Sequence, residues 1–174
     1  VTADVVKQPD GTLSLRLHMH GAGEIAGQNG ITVEQIDPAI RYVAAEVWRI
    51  ADPVLYAWYK TEMEPRPAVV MAALRSLLND PATNQGVGGE QVRRAISMLL
   101  ARAQVSAGDS SGALGTLDAI GQPGRLDPAA WAARAMVLLN LGRAAEASDA
   151  QQRVLTLAPN SAGIITILAL GLIV

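Results

Sequence analysis

The feature that most constrains the fold of this chain is a set of small residues that recurs 34 positions further along. The matching pairs are Gly108 with Gly142, Ala101 with Ala135, and Ala113 with Ala147. Glycine permits the tight turn between two antiparallel helices, and alanine lets the two backbones approach closely. A period of this length therefore predicts consecutive pairs of antiparallel helices.

The segment 128–160 resembles one tetratricopeptide repeat, which is a helix pair of 34 residues. Numbered from Pro128, residue types that the family expects occur at repeat positions 4, 8, 20 and 32. These residues are Trp131, Ala135, Ala147 and Pro159. The segment departs from the family pattern at Leu138, where tyrosine is usual, and at Gln151, where phenylalanine is usual.

Two earlier segments, 50–83 and 94–127, resemble the same repeat in a degenerate form. The first segment has Val69 where the family expects alanine, and the second has Ser97 where the family expects tryptophan. The resemblance is thus clear for one repeat and degenerate over 50–127, and the number of true repeats stays open.

The resemblance implies a mainly α fold, an α-solenoid of antiparallel helix pairs wound into a right-handed superhelix. In this family the first helix of each pair lines a concave surface, which implies a groove for a peptide or helix of a partner protein. The candidate groove residues carried over to this chain are Val54, Trp58, Met98, Arg102, Val105, Ala132, Met136 and Leu139. Most of this lining is apolar, and its two methionines can repack around different partners.

Apolar periodicity and helix-breaking residues predict the individual helices of the array, which we assign to residues 32–160. The first predicted helix covers about 33–51 and follows a capping box formed by Thr32 and Gln35. The later predicted helices are 54–63, 68–78, 91–107, 110–120, 128–141 and 144–157. The stretch 82–90 contains three glycines, and it is predicted to be a loop and the internal hinge.

Residues 1–31 predict a β-hairpin followed by a Gly-rich loop over 21–31. Two alternating apolar and polar runs flank the sequence Pro9-Asp10-Gly11, which is typical of a tight turn. An isolated hairpin is only marginally stable in water. We therefore expect its leucine face to pack on the helix at 33–51, or on a larger sheet outside this chain.

Two motifs at the end of the hairpin could carry chemistry, and both have a plainer interpretation. Residues 21–26 fit the dinucleotide pattern G-x-G-x-x-A, but turn residues follow them instead of the helix that a nucleotide site requires. His18 and His20 share one strand face, yet a zinc site needs three or four protein ligands. We interpret these residues as a loop and as solvated strand positions, and we predict neither a cofactor nor a metal.

Composition narrows the classes of function further. The net charge of −2 and the lack of cationic runs argue against nucleic-acid binding, and the absence of cysteine excludes thiolate chemistry. No catalytic signature stands out among the residues. The tetratricopeptide resemblance implies a non-catalytic protein–protein interaction module, a scaffold or adaptor that holds a peptide or helix. The alternatives are a self-assembly module that uses the groove and the C-terminal segment, and a small-ligand sensor or enzyme that uses the N-terminal segment.

The chain ends in residues 161–174, which we predict to be an apolar helix. Its apolar part, 164–174, is shorter than the roughly 20 residues that span a bilayer. We expect it to pack on the last repeat. The alternatives are a lid over the groove, in its own chain or in a neighbouring copy as a homo-oligomer, and the first helix of a further repeat. We expect membrane attachment only through regions outside this chain. A start at Val1 fits a processed piece of a larger bacterial protein, cytoplasmic or periplasmic.

Overall fold

The computed structural model describes residues 2–20, 23–85, 88–120 and 128–159, and it is mainly helical with one small antiparallel sheet. The strands are β1 (Thr2–Lys7), β2 (Leu13–Met19) and β3 (Gly23–Ile31). The helices are α1 (Ile36–Ala51), α2 (Pro53–Met63), α3 (Pro67–Asn79), α4 (Pro81–Gln85), α5 (Gly89–Ser106), α6 (Ser110–Ala119), α7 (Pro128–Asn140) and α8 (Ala144–Leu157). The chain divides into two compact units, Val1–Tyr56 and Ala57–Val174, which are described separately below.

The predicted hairpin is confirmed, with β1 and β2 antiparallel. Gly11 has a φ of 86°, a left-handed conformation that glycine adopts without steric cost. The Asp10 carboxylate accepts the backbone N–H of Thr12 at 3.0 Å and its hydroxyl at 2.7 Å. The turn is therefore closed by the residue types that the sequence pattern required.

The prediction of a loop over 21–31 was wrong for residues 23–31, which form the third strand. β3 pairs antiparallel with β2, so the sheet order is β1-β2-β3. The register shifts between Leu13 and Leu15 and again between Leu17 and His18. Gly30 lies opposite the first shift, and its φ of 68° suits a β-bulge, which takes up an extra residue. Beside this bulge the Ser14 hydroxyl donates to Asn29 Oδ1 at 2.6 Å.

The core of the N-terminal unit lies between the sheet and α1. Its buried members are Leu15, Leu17, Ile31, Ala39 and Val43. A 3₁₀ turn precedes α1, and there Gln35 Oε1 accepts the backbone N–H of Thr32 at 3.1 Å. The leucine face of the hairpin therefore packs on the helix that follows, as one of the two sequence expectations stated.

The described residues of the C-terminal unit form helices joined by turns and short irregular segments, and its helices pack mainly on the next helix or the next but one in the chain. Contacts join α3 with α5, α5 with α6, α6 with α7, and α7 with α8, while α5 also contacts α7. The predicted loop over 82–90 was wrong in part, because α4 and the first turn of α5 occupy most of it. Pro81 opens α4, a position at which the missing N–H of proline costs no hydrogen bond.

The same backbone turn joins α5 to α6 and α7 to α8. Gly108 and Gly142 both have positive φ, 81° and 70°. In each turn the glycine N–H donates to the carbonyl three residues back, and the next N–H donates to the carbonyl five residues back. This pair of hydrogen bonds is the Schellman motif, and it occurs twice at the offset of 34 found in the sequence.

Candidate functional site

Most of the candidate groove positions lie on helices of the C-terminal unit that contact one another. α5 contacts α7 directly. An ion pair links the end of α2 to α5, with Arg102 Nη1 2.9 Å from Glu62 Oε1. α5 therefore packs against α7, and one ion pair links it to the end of α2.

On α5 the candidate residues are Met98, Arg102 and Val105. Met98 and Val105 are half-buried, and they pack against the core cluster that contains Trp131. Arg102 is exposed apart from its ion pair with Glu62. This face of α5 is therefore apolar at two positions and cationic between them.

On α7 the three candidate residues differ in accessibility. Met136 and Leu139 are half-buried, so part of each side chain remains available to a ligand. Ala132 is only 5% exposed and belongs to the core. The structure thus assigns Ala132 mainly to helix packing, because its small side chain fits the close contact inside the unit.

The two candidate residues of α2 belong to different units. Trp58 lies in the C-terminal unit and is 52% exposed, which is unusual for so large an apolar side chain. Val54 lies in the N-terminal unit. We group Trp58 of α2 with the accessible candidates of α5 and α7 and call this set the α5–α7 surface. It consists of Trp58, Met98, Arg102, Val105, Met136 and Leu139.

A cleft of about 200 Å³ adjoins Arg102. Its walls come from the end of α2, the start of α3 and the last turns of α5. Glu64 also lines the cleft, and its hydrogen bond with Arg66 holds the pKa of the Glu64 carboxyl below its usual value. The cleft therefore carries one charge of each sign at its edge and has room for one large side chain.

A second, larger pocket involves residues that the sequence analysis did not select. It lies between α3, α5 and α6, and Arg93 and Arg94 contribute to its wall. The signal in the sequence was a mixed stripe on α5 at the spacing of one helix face. That stripe alone could not identify a pocket, because the other walls come from two separate helices.

The structure describes both histidines and part of the glycine motif at the end of the hairpin. His18 Nε2 lies 3.5 Å from Asp4 Oδ2, and His20 is exposed. Within residues 2–20, 23–85, 88–120 and 128–159, no group of three or more potential ligands is placed to hold a metal ion. Of the G-x-G-x-x-A motif, residues 23–26 lie in β3, and the first two residues are outside the described part.

Comparisons with models of protein families, with curated proteins and with solved structures find no match to this chain. Among the helices that the structure describes, none has both the length and the apolar character needed to cross a membrane. The apolar helix predicted over 161–174 lies outside the described residues. The geometry of the described residues is therefore the basis of the functional proposal.

Proposed function

We propose that this chain is a non-catalytic protein–protein interaction module that binds a peptide or helix on the α5–α7 surface. The observation that carries the proposal is the set of half-buried apolar side chains on α5 and α7, two helices that contact each other. Trp58 is half-exposed on α2, the helix that the Glu62–Arg102 ion pair links to α5. Tryptophan, methionine and arginine are enriched where proteins bind one another. We also propose that the helices stack as a tetratricopeptide-like solenoid.

Two features of the described residues support this reading of the helices. The Schellman motif recurs at an offset of 34 residues, which is the period of the proposed repeat. Helices α5, α6, α7 and α8 contact one another in chain order, and α5 also contacts α7. Such contacts are those expected when successive helix pairs stack on each other.

The chemistry of the surface favours a partner with an apolar face and an acidic or amide side chain. Met98, Val105, Met136 and Leu139 offer partly accessible apolar area. Arg102 can donate to a carboxylate or carbonyl of the partner, in competition with its ion pair to Glu62. The adjoining cleft of about 200 Å³ suits one bulky side chain as an anchor.

The test is to select peptides from a random displayed library on the whole chain and to measure their affinities for variants by fluorescence anisotropy. We expect Trp58→Ala and Met136→Ala each to weaken binding, with Trp58→Ala costing about tenfold or more because exposed tryptophans are frequent hot spots. Trp48→Ala is the matched control, since Trp48 is 40% exposed and belongs to the N-terminal unit. Its affinity should equal that of the wild type.

Two results would contradict the proposal. One is a selected peptide that binds Trp58→Ala and Met136→Ala as tightly as the wild type. The other is failure of every selected peptide to bind saturably. Sedimentation of the wild type over a range of concentrations separates the alternative, because self-assembly through the same surface would make the apparent mass rise with concentration.

A further inference from the structure

The larger pocket of the C-terminal unit has a volume of about 520 Å³, within the range of about 300–1,000 Å³ that small-molecule sites occupy. It lies between the end of α3, the first three turns of α5 and the end of α6. Its lining residues are Leu78, Asn79, Glu90, Arg93, Arg94, Ser97, Leu100, Thr116, Ala119 and Ile120. None of these residues belongs to the α5–α7 surface.

The α5 wall of the pocket changes from charged to apolar along the helix. This wall consists of Glu90, Arg93, Arg94, Ser97 and Leu100. Arg93 and Arg94 are adjacent, and the other steps along this series are three positions. Such positions share one face of an α-helix. The face therefore begins with three charged side chains, continues through a hydroxyl group and ends at leucine.

The charged end of the pocket has an excess of one positive charge. Arg94 Nη2 lies 3.0 Å from Glu90 Oε1, so these two residues form an ion pair. Arg93 adds a second guanidinium on the same face. This end also adjoins the N-terminus of α5, where the helix dipole favours an anion. A ligand with one negative charge would neutralise the excess positive charge of these three side chains, whereas a doubly charged phosphate monoester would leave a net negative charge.

The opposite end of the pocket is apolar and is held in place. Leu100 lies on α5, and Ile120 is the residue that caps the C-terminus of α6. Ala119, the last residue of α6, adds a small side chain to the same lining. The Thr116 hydroxyl donates to Gln104 Oε1 at 2.7 Å, a bond that ties α6 to α5. Between the two ends, Ser97 lines the pocket although only 9% of it is exposed.

We propose that this pocket binds a small amphiphilic carboxylate. The carboxylate accepts hydrogen bonds from the Arg93 guanidinium, a pairing that can be bidentate. The apolar body of the ligand lies along the Ser97 position towards Leu100 and Ile120. The site is separate from the α5–α7 surface, so the proposal stands independently of the peptide-binding function.

The test is an amide NMR titration of the full chain with three probes. Octanoate has both the charge and the apolar body, 1-octanol has only the apolar body, and acetate has only the charge. We expect saturable shifts with octanoate, concentrated in α5 around residues 90–100 and in α6 around 116–120. We expect affinities at least about tenfold lower for 1-octanol and acetate, because each lacks one half of the recognition.

Two substitutions locate the ligand within the pocket. Arg93→Gln removes the guanidinium of an exposed residue and should weaken octanoate binding about tenfold. Ala119→Leu adds bulk at an exposed position of the apolar end and should weaken octanoate binding as well. Arg75→Gln is the matched control, since Arg75 is exposed on α3 and does not line the pocket.

Three results would overturn the proposal. They are equal affinity of octanoate for Arg93→Gln and the wild type, equal affinity of 1-octanol and octanoate, and shifts that never saturate. Unchanged binding to Ala119→Leu would overturn the assignment of the apolar end. Circular dichroism and a thermal melt of each variant show that it is folded before its affinity is compared.

Discussion

Two glycines of α6, Gly112 and Gly115, lie in the same helix but in different surroundings. The Asp109 carboxylate caps the helix by accepting the Gly112 N–H at 2.8 Å. A Cβ atom at Gly112 would contact that carboxylate, whereas a Cβ atom at Gly115 would meet nothing within 4 Å. Substitutions at these two positions therefore distinguish the entropic cost of glycine in a helix from the stabilisation that the Asp109 cap provides.

We expect Gly115→Ala to raise the free energy of unfolding by about 0.5–1 kcal/mol, because alanine loses less chain entropy in a helix. Gly112→Ala should give no gain, or a loss of about 1 kcal/mol, since the displaced Asp109 side chain no longer caps the helix. Urea unfolding followed by circular dichroism measures both values. Equal stabilisation by the two substitutions would show that the Asp109 cap contributes nothing.

At the level of single residues, the sequence pattern predicted only part of the burial in α1. The apolar spacing in this segment predicts one buried helix face, which consists of Ile36, Ile40, Val43, Ala44, Val47 and Ile50. Of these residues, Val43 is buried, and Ile36 and Val47 pack on the core. Ile40 and Ile50 belong to the same face but are exposed. Periodicity identifies the apolar face of a helix, but the width of the sheet that covers it is not encoded in the helix itself.

Among the elements, α7 depends on one large side chain. Trp131 is 6% exposed, and the Arg153 guanidinium of α8 lies 4.9 Å from its ring centroid. The tetratricopeptide pattern that the segment 128–160 resembles has tryptophan at this position. Its position between α7 and α8 is consistent with a packing role.

We expect Trp131→Ala to lower the free energy of unfolding by about 3–5 kcal/mol, because it leaves a cavity in the core. Trp58→Ala should lower it by less than about 1 kcal/mol, since that side chain is half-exposed. Urea denaturation of the two variants, followed by far-UV circular dichroism, provides the comparison. Similar losses for both tryptophans would contradict the burial that distinguishes them.

The elements that sequence reasoning missed are those that depend on partners distant in the chain or on weak local signals. β3 contains three glycines, a composition typical of a loop, yet it forms a strand because it pairs with β2. α4 has only five residues, too few for a recognisable apolar period. The longer helices were predicted because each repeats its apolar spacing over several turns.

The candidate site was predictable only where the tetratricopeptide resemblance supplied positions along a helix. Four of the positions that it selected on α5 and α7, Met98, Val105, Met136 and Leu139, are half-buried, whereas Ala132 lies in the core. The pocket that contains Arg93 could not be predicted, because its walls come from three helices. Local sequence spacing gives the face of one helix and leaves open which neighbours complete a cavity.

At the scale of the whole molecule, several ion pairs join residues that are close in sequence, and most of these pairs leave at least one partner exposed. Examples are Arg66 with Glu64 and Arg143 with Glu146, and each pair lowers the pKa of its glutamate. A carboxyl group with a lowered pKa stabilises the fold above its usual pKa, and that contribution is lost as the pH falls through the lowered value. Because Arg66, Arg143 and Glu146 are exposed, solvent and salt screen the gain in stability.

We therefore expect the urea midpoint at neutral pH to change little when sodium chloride is raised to about 1 M, where the Debye length is about 3 Å. The stability of this chain should come from its apolar cores, which salt does not screen. Unfolding curves at low and high salt provide the measurement. A large fall of the midpoint at high salt would show that ion pairs stabilise the fold.

The neighbour-to-neighbour packing of α3, α5, α6, α7 and α8 has a consequence for how the protein is made. The Schellman turns bring α5 against α6 and α7 against α8 within a few residues of chain. Contacts of such low sequence separation form quickly. On a translating ribosome, α5 and α6 can pair before α7 has left the exit tunnel. Each later helix can then pack on helices that have already folded.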